Sequence, residues 1–209
     1  MNKPNFDRDM LSVTAKIDKN NKPSLLLHSC CAPCSSAVLE RLYEYFDLTV
    51  FYYNPNISPA SEFYKRLEEE KRFCKEYFNS LNIPDVKVIE GNYEPELFYS
   101  SVKGYEDCEE RGERCHICYR LRLEKTAQYA KENGFDYFCS TLTVSPLKDC
   151  IIINQIGKEL SEKYGVAFLP SDFKKHEGFK RSISLSVEYN LYRQNFCGCI
   201  FSKRASEKN

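Results

Sequence analysis

The chain reads as an α/β protein built on a parallel five-stranded sheet with flanking helices. Two observations predict this class. Short apolar runs of four to six residues alternate with longer segments of helical spacing. Turn-forming residues close several of those runs, as in Asn54–Pro59 and Gly91-Asn92. Strands that alternate with helices favour a parallel sheet. In such sheets ligands gather beyond the carboxyl ends of the strands, at the point where strand order reverses. In a 3-2-1-4-5 order the first and fourth strands flank that point.

The elements follow in turn. Residues 1–23 are polar and predict a loose, flexible N-terminal arm. Leu25–His28 is a short buried strand that runs directly into HSCCAPCS, and 35–46 carries helical spacing after the turn at Pro33. Leu48–Tyr53 is a second strand, 60–80 a long charged helix ended near Asn82 and Pro84, and Val86–Glu90 a third strand. A short helix is expected over 95–102, then a turn at Gly104. Residues 115–134 form a helix closed by Gly134. Phe135–Ser140 is the fourth strand and TLTVSPL a polar loop. Asp149–Lys163 is a helix, Val166–Leu169 the fifth strand, and a last helix covers roughly 177–190. A single domain is expected over 24–203, with a short tail at 204–209.

Composition narrows the function. The chain has 209 residues, 42% of them apolar, enough to bury a real core. Lys+Arg and Asp+Glu are both 30, so bulk charge does not advertise a nucleic-acid partner, although a local basic patch can do that work. No apolar run reaches the ~18 residues of a membrane span. The first 24 residues lack the apolar core of a secretory signal, which predicts a cytoplasmic protein. Eleven cysteines, an odd number in a chain of this expected location, point to metal or redox chemistry more than to structural bridges.

Seven of these cysteines fall in three groups: Cys30-Cys31-x-x-Cys34, Cys115-x-x-Cys118 and Cys197-x-Cys199. Thiolate is a soft ligand that selects zinc, copper(I) or iron–sulfur clusters. Both C-x-x-C pairs sit at expected helix starts, where the helix dipole favours thiolate. A structural zinc clamp needs four ligands, so the surplus favours a reactive site. Cys74 and Cys139 read as small core residues. Cys150, beside a helix start, and Cys108, in an acidic stretch, are unassigned. His28 precedes the cysteines on its strand, as a second-sphere donor or a core histidine. His116 and His176 carry no assigned role.

HSCCAPCS, RCHICYRLRLEKTA, STLTVSP and YRQNFCGC, in this order, resemble the QueH-type epoxyqueuosine reductases, over about residues 24–202. The resemblance implies a Rossmann-like fold similar to that of the nucleotide alpha-hydrolases. It implies removal of the epoxide oxygen of epoxyqueuosine at the tRNA wobble position, the last step of queuosine biosynthesis. It also implies a [4Fe–4S] cluster on Cys30, Cys31, Cys115 and Cys118, with Cys34 as an alternative ligand. Cys197 and Cys199 match the family's C-terminal C-G-C, as a redox-active pair or as holders of a second, adjacent iron. An external electron donor is required, because no flavin or nicotinamide fingerprint is visible. Asp149, His28 and Tyr192 are candidate proton donors.

For the tRNA, Tyr52-Tyr53-Asn54-Pro55-Asn56, Tyr119, Arg120 and Arg122 are candidate stacking and phosphate contacts. So is the basic run Lys174, Lys175, Lys180, Arg181 and Arg193. Three rival classes remain. A tRNA sulfur-transfer enzyme of the same broad fold expects a glycine-rich phosphate loop after the first strand, and CCAPCSS has no glycine. A structural zinc protein that binds RNA would be colourless. A thiol–disulfide oxidoreductase would hold no metal.

Overall fold

The computed structural model describes residues 4–206. In chain order it contains α1 (Phe6–Thr14), β1 (Ser24–His28), α2 (Ala32–Leu42), β2 (Asp47–Tyr52), α3 (Ala60–Ser80), β3 (Lys87–Glu90) and α4 (Pro95–Ser101). Then follow α5 (Glu113–Glu132), β4 (Tyr137–Ser140), a 3-10 turn (Thr141–Val144), α6 (Cys150–Tyr164), β5 (Ala167–Phe168), α7 (Gly178–Glu188) and α8 (Ile200–Ser206). The five strands are all parallel in the order β3-β2-β1-β4-β5, as the alternation of elements predicts.

Strand β1 sits at the centre because it is apolar on both faces. Leu25 and Leu27 enter a core with Val38 and Leu42 of α2 and Phe73 and Phe78 of α3. Leu26, pointing the other way, enters a second core with Leu123 and Ala127 of α5 and Ile153 and Ile156 of α6. A strand buried on both faces has no polar side to mark it, which is why it reads as a continuous apolar run. The helices are placed by their ends. Asp149 caps α6 by accepting from the Ile151 and Ile152 N–H groups, and Gly165 closes it at φ 69°. Pro33 lies in the first turn of α2, so this helix begins at Ala32, three residues before the expected start.

Three expectations are corrected. The polar N-terminal stretch contains α1, docked on the body of the protein. Met10 is 1% exposed within the first core, and Asp7 accepts from Arg41 (2.6 Å) and pairs with His176 (3.0 Å). Met10, the partly buried Val13 and a half-buried ion pair anchor the helix, a signal too sparse for periodicity to reveal. The TLTVSPL stretch is only partly a polar loop: Thr141, Leu142, Thr143 and Val144 form a buried 3-10 turn, with the Ser140 hydroxyl accepting from the Leu142 N–H, while Pro146 and Leu147 are exposed. Helix α8 runs through 204–206, where a tail was expected, and 207–209 lie outside the described residues. No helix among the described residues is long and apolar enough to cross a membrane.

Met10→Ala is expected to lower the free energy of unfolding by about 2–5 kcal/mol, read from urea midpoints at unchanged slope. A loss below about 0.5 kcal/mol is the outcome for an undocked arm.

Candidate active site

The site forms where β1 gives way to α2. His28, the last residue of β1, is fully buried and spans three strands. Its Nε2 lies 3.1 Å from the Tyr53 carbonyl and its Nδ1 2.9 Å from Ser140 Oγ. A carbonyl only accepts, so Nε2 carries the proton and the Ser140 hydroxyl donates to Nδ1. Burial, followed by the charge of Arg122, lowers the His28 pKa to about 4, so the ring is neutral. His28 therefore ties the carboxyl ends of β1, β2 and β4 together. Ser29 is held next: its N–H donates to the Phe51 carbonyl, its carbonyl accepts from Asn54 (2.8 Å), and its hydroxyl donates to Glu70 (3.0 Å).

The backbone so fixed presents Cys30, Cys31 and Cys34. Cys30 is 8% exposed and Cys31 1%. The three sulfurs all lie within 4.8 Å of one another, and Sγ of Cys30 is 3.9 Å from Sγ of Cys31. Among the described residues no other group of three or more His, Cys, Asp or Glu side chains converges in this way. Hydrogen bonds from the Cys31 and Cys34 thiols hold the Cys30 thiol well below its usual range, and the same contacts push Cys31 and Cys34 up. Of the three, Cys30 is the sulfur whose surroundings most favour negative charge. The Gln194 amide donates to Cys31 Sγ at 2.9 Å.

The other motif cysteines come from two directions. Cys115 and Cys118 lie in the first turns of α5. The Cys115 sulfur accepts from the Arg111 N–H (3.2 Å) and packs against the core that holds Cys30 and Cys31. Cys118 is buried with Cys199 beside Phe98 and Val102, and burial raises its thiol to about 11. The C-terminal segment is strapped along α3. Arg72 donates to the Tyr189 and Asn190 carbonyls, Glu69 accepts from the Tyr192 N–H (2.6 Å), and Arg66 donates to the Cys197 carbonyl (3.2 Å). Gly198 adopts φ 117°, and a Cβ there would press on Ile57 and Arg66. Cys197 is set 3.1 Å from the Lys148 ammonium, which also donates to Glu110 at 3.1 Å. A hydrogen bond from Cys199 and the Lys148 charge hold the Cys197 thiol well below its usual range, against burial. Cys197 and Cys199 are both free thiols.

These parts meet at a cavity of about 250 Å³, whose wall includes Cys30, Cys34, Cys197, Arg122, Lys148 and Gln194. Cys31, Cys115, Cys118 and Cys199 stand behind that wall and do not line it. Of the residues expected from sequence, Cys34 joins Cys30 and Cys31, while Cys115 and Cys118 lie outside that close group. Asp149 is spent on capping α6, Tyr192 donates to Glu62, and His28 is locked between strands; none of the three lines the cavity.

The expected nucleic-acid contacts change more. Tyr52 and Tyr53 are buried, their hydroxyls donating to the Phe63 carbonyl and to Glu94, so neither offers a face for stacking. Most of the basic run is paired: Lys174 with Asp172, Lys180 with Glu177, Arg181 with Glu40. Arg193 alone of that run lines the cavity. Arg120 pairs with Glu159, whereas Arg122 is buried. Arg66, Glu70, Lys148 and Gln194 had no sequence signal. Each looks like an ordinary polar surface residue until the fold brings it to the cysteines.

Buried soft donors at the switch point of a parallel sheet, facing fixed positive charge, are a donor set suited to metal or redox chemistry in an α/β protein. The family described as epoxyqueuosine reductase QueH matches residues 25–205, and the chain belongs to that family. It is 42% identical over 203 residues to epoxyqueuosine reductase QueH of Streptococcus pyogenes serotype M1, covering 97% of this chain and 79% of the relative. The QueH of Thermotoga maritima is 40% identical over 182 residues, covering 86% of this chain and 90% of the relative. Among solved structures, the U34-tRNA thiolase NcsA from Methanococcus maripaludis with its [4Fe-4S] cluster superposes with a TM-score of 0.53 at 14% identity, covering 96% of this chain and 71% of that one. This last likeness is one of fold, and it matches the expected nucleotide alpha-hydrolase-like architecture.

Glu70 supplies a pH test. Burial, offset only in part by the hydroxyls of Ser35 and Ser29, raises its carboxyl from 4.5 to about 7. Between those values the folded state binds more protons than the unfolded one, so this residue's contribution to stability falls as pH rises through the window. In Glu70→Gln that decline should vanish, so wild type should lose on the order of 3 kcal/mol relative to the variant from pH 4.5 to above 7. An equal gap in urea midpoints at both ends of the window would refute the assignment.

Proposed function

We propose that this chain reduces the epoxide of epoxyqueuosine in the tRNA anticodon, leaving the alkene of queuosine. The observation that carries the reading is the convergence of the Cys30, Cys31 and Cys34 sulfurs within 4.8 Å, at the edge of a cavity, in a member of the QueH family. Opening an epoxide to an alkene takes two electrons and two protons and releases water. Sulfur donors of this kind suit an iron–sulfur cluster, and four thiolates are the usual ligand set of a [4Fe–4S] cluster. We assign that role to Cys30, Cys31, Cys115 and Cys118, with Cys34 as the alternative ligand. The close grouping of Cys34 with its neighbours supports its place among the ligands. When bound, the cluster supplies electrons singly, drawn from an external low-potential donor.

The chain's own residues do the rest. The Cys199 hydrogen bond and the Lys148 ammonium favour the charged form of Cys197 at the cavity wall. We read Cys197 and Cys199 as a redox-active dithiol that can pair the single electrons, with a second adjacent iron as the other role for these sulfurs. A cavity of about 250 Å³ accepts a base-sized group and not a stem, so the wobble nucleotide enters turned out from the anticodon stack. A tRNA substrate and this electron donor place the reaction in the cytoplasm.

Anaerobic reconstitution of the full chain should yield about four irons and four sulfides per molecule and a brown protein. Cys115→Ala should abolish the visible absorbance. Cys197→Ser should keep most of it and lose turnover of epoxyqueuosine tRNA, assayed by nucleoside mass spectrometry. A colourless zinc protein would overturn the cluster, and normal turnover by Cys197→Ser would overturn the role of the C-terminal pair.

A further inference from the structure

Arg122 is a buried charge without a complete set of partners. It lies on α5, four residues after Cys118, and is 1% exposed. Its Nε donates to the Cys118 carbonyl at 3.2 Å. Its Nη2 is buried and has no hydrogen-bond partner among the described residues. The residue lines the cavity with Cys30 and Cys197. A guanidinium stripped of water is retained where charge or hydrogen bonds replace its hydration. The charges on Cys30 and Cys197 supply part of that replacement. A cavity-lining guanidinium with an unfilled N–H has donor capacity left for an acceptor that arrives with the substrate.

We propose that Arg122 donates a hydrogen bond to the oxygen that leaves the substrate. The inference rests on the epoxide-reducing reading. In that reaction both C–O bonds of the epoxide break and a C=C bond forms. Two electrons come from the low-potential donor, and the oxygen leaves as water with two protons from solvent. After the first C–O bond breaks, and before protonation, the oxygen carries alkoxide charge. A preoriented guanidinium stabilises that charge and, always protonated itself, neither gives nor takes a proton. The neighbouring cations are less suited. Lys148 is engaged by Glu110 and Cys197, Arg193 by the Ser182 carbonyl and the Ser186 hydroxyl, and Arg120 by Glu159. Queuosine lacks the departed oxygen, so the product cannot use this contact. The same residue that favours the charged intermediate thus contributes nothing to holding the product.

The test uses the reconstituted full chain and purified epoxyqueuosine tRNA. Arg122→Met should lower kcat by about 100-fold or more, the loss typical of removing one oxyanion donor. KM, iron and sulfide content, and affinity for queuosine-containing product tRNA should stay within about threefold. Arg122→Lys should recover part of the rate, and added guanidinium should restore turnover to Arg122→Ala. Turnover of Arg122→Met within threefold of wild type overturns the proposal. So does a loss of rate matched by loss of iron or by equally weakened product binding, which would make Arg122 a structural counter-ion. If Arg122→Met yields no folded protein, absence of guanidinium rescue in Arg122→Ala decides against it. A wild-type chain that fails to reduce epoxyqueuosine refutes the functional reading itself, whereas an active wild type with an active Arg122→Met refutes only the role of Arg122.

Discussion

A negative charge on sulfur, buried at the end of the central strand, is the constraint around which the site is arranged. Water would solvate a thiolate at no structural cost; the interior must replace that solvation with hydrogen bonds and opposite charge. Here the first layer is sulfur itself, since hydrogen bonds from Cys31 and Cys34 lower the Cys30 pKa. The second layer is cationic. Arg122 acts on Cys30 and Cys118, Arg66 on Cys31, and Lys148 directly on Cys197. Three buried cations near buried thiols would be an extravagant way to stabilise a fold, because apolar residues of similar volume often do as well. They make sense where the sulfurs must stay charged to bind or react.

The frame that holds this charge was legible in outline. Leu25–His28, Leu48–Tyr53 and Phe135–Ser140 are apolar on both faces and bounded by turn residues, so the parallel sheet and the position of HSCCAPCS at its switch point followed from pattern. The cysteines announced themselves by spacing. What pattern could not show was pairing at long range. The Tyr52-Tyr53 rim looked like a stacking platform because aromatic residues after a strand often are exposed, yet both rings pack inward. Within the basic run near the C-terminus, the partner of Arg181, Glu40, lies on α2, far away in sequence, while Lys174 and Lys180 pair with the nearby Asp172 and Glu177. Helix α1 escaped because only Met10, Val13 and Asp7 carry its docking.

Helix α3 shows how a charged helix can be structural. Glu62, Arg66, Glu69 and Arg72 recur at three- and four-residue spacing, which in isolation reads as a solvated stripe. In the fold this stripe is a rail that receives the 189–198 backbone. Its two arginines donate to main-chain carbonyls, Glu69 accepts a main-chain N–H, and Glu62 takes the Tyr192 hydroxyl. The specificity lies in main-chain partners, so the receiving segment needs no complementary charge of its own.

That rail also sets an order of events during synthesis. The chain leaves the ribosome from its N-terminus, so the Cys30–Cys31–Cys34 trio and the Cys115–Cys118 pair emerge well before residues 189–199. Until that strap lies down along α3, Cys31 lacks Gln194, Lys148 lacks Cys197, and the cavity has no far wall. A nascent chain therefore exposes its sulfurs on an open bench and closes over them last. The C-terminal segment is therefore the part of the chain that completes the cavity wall.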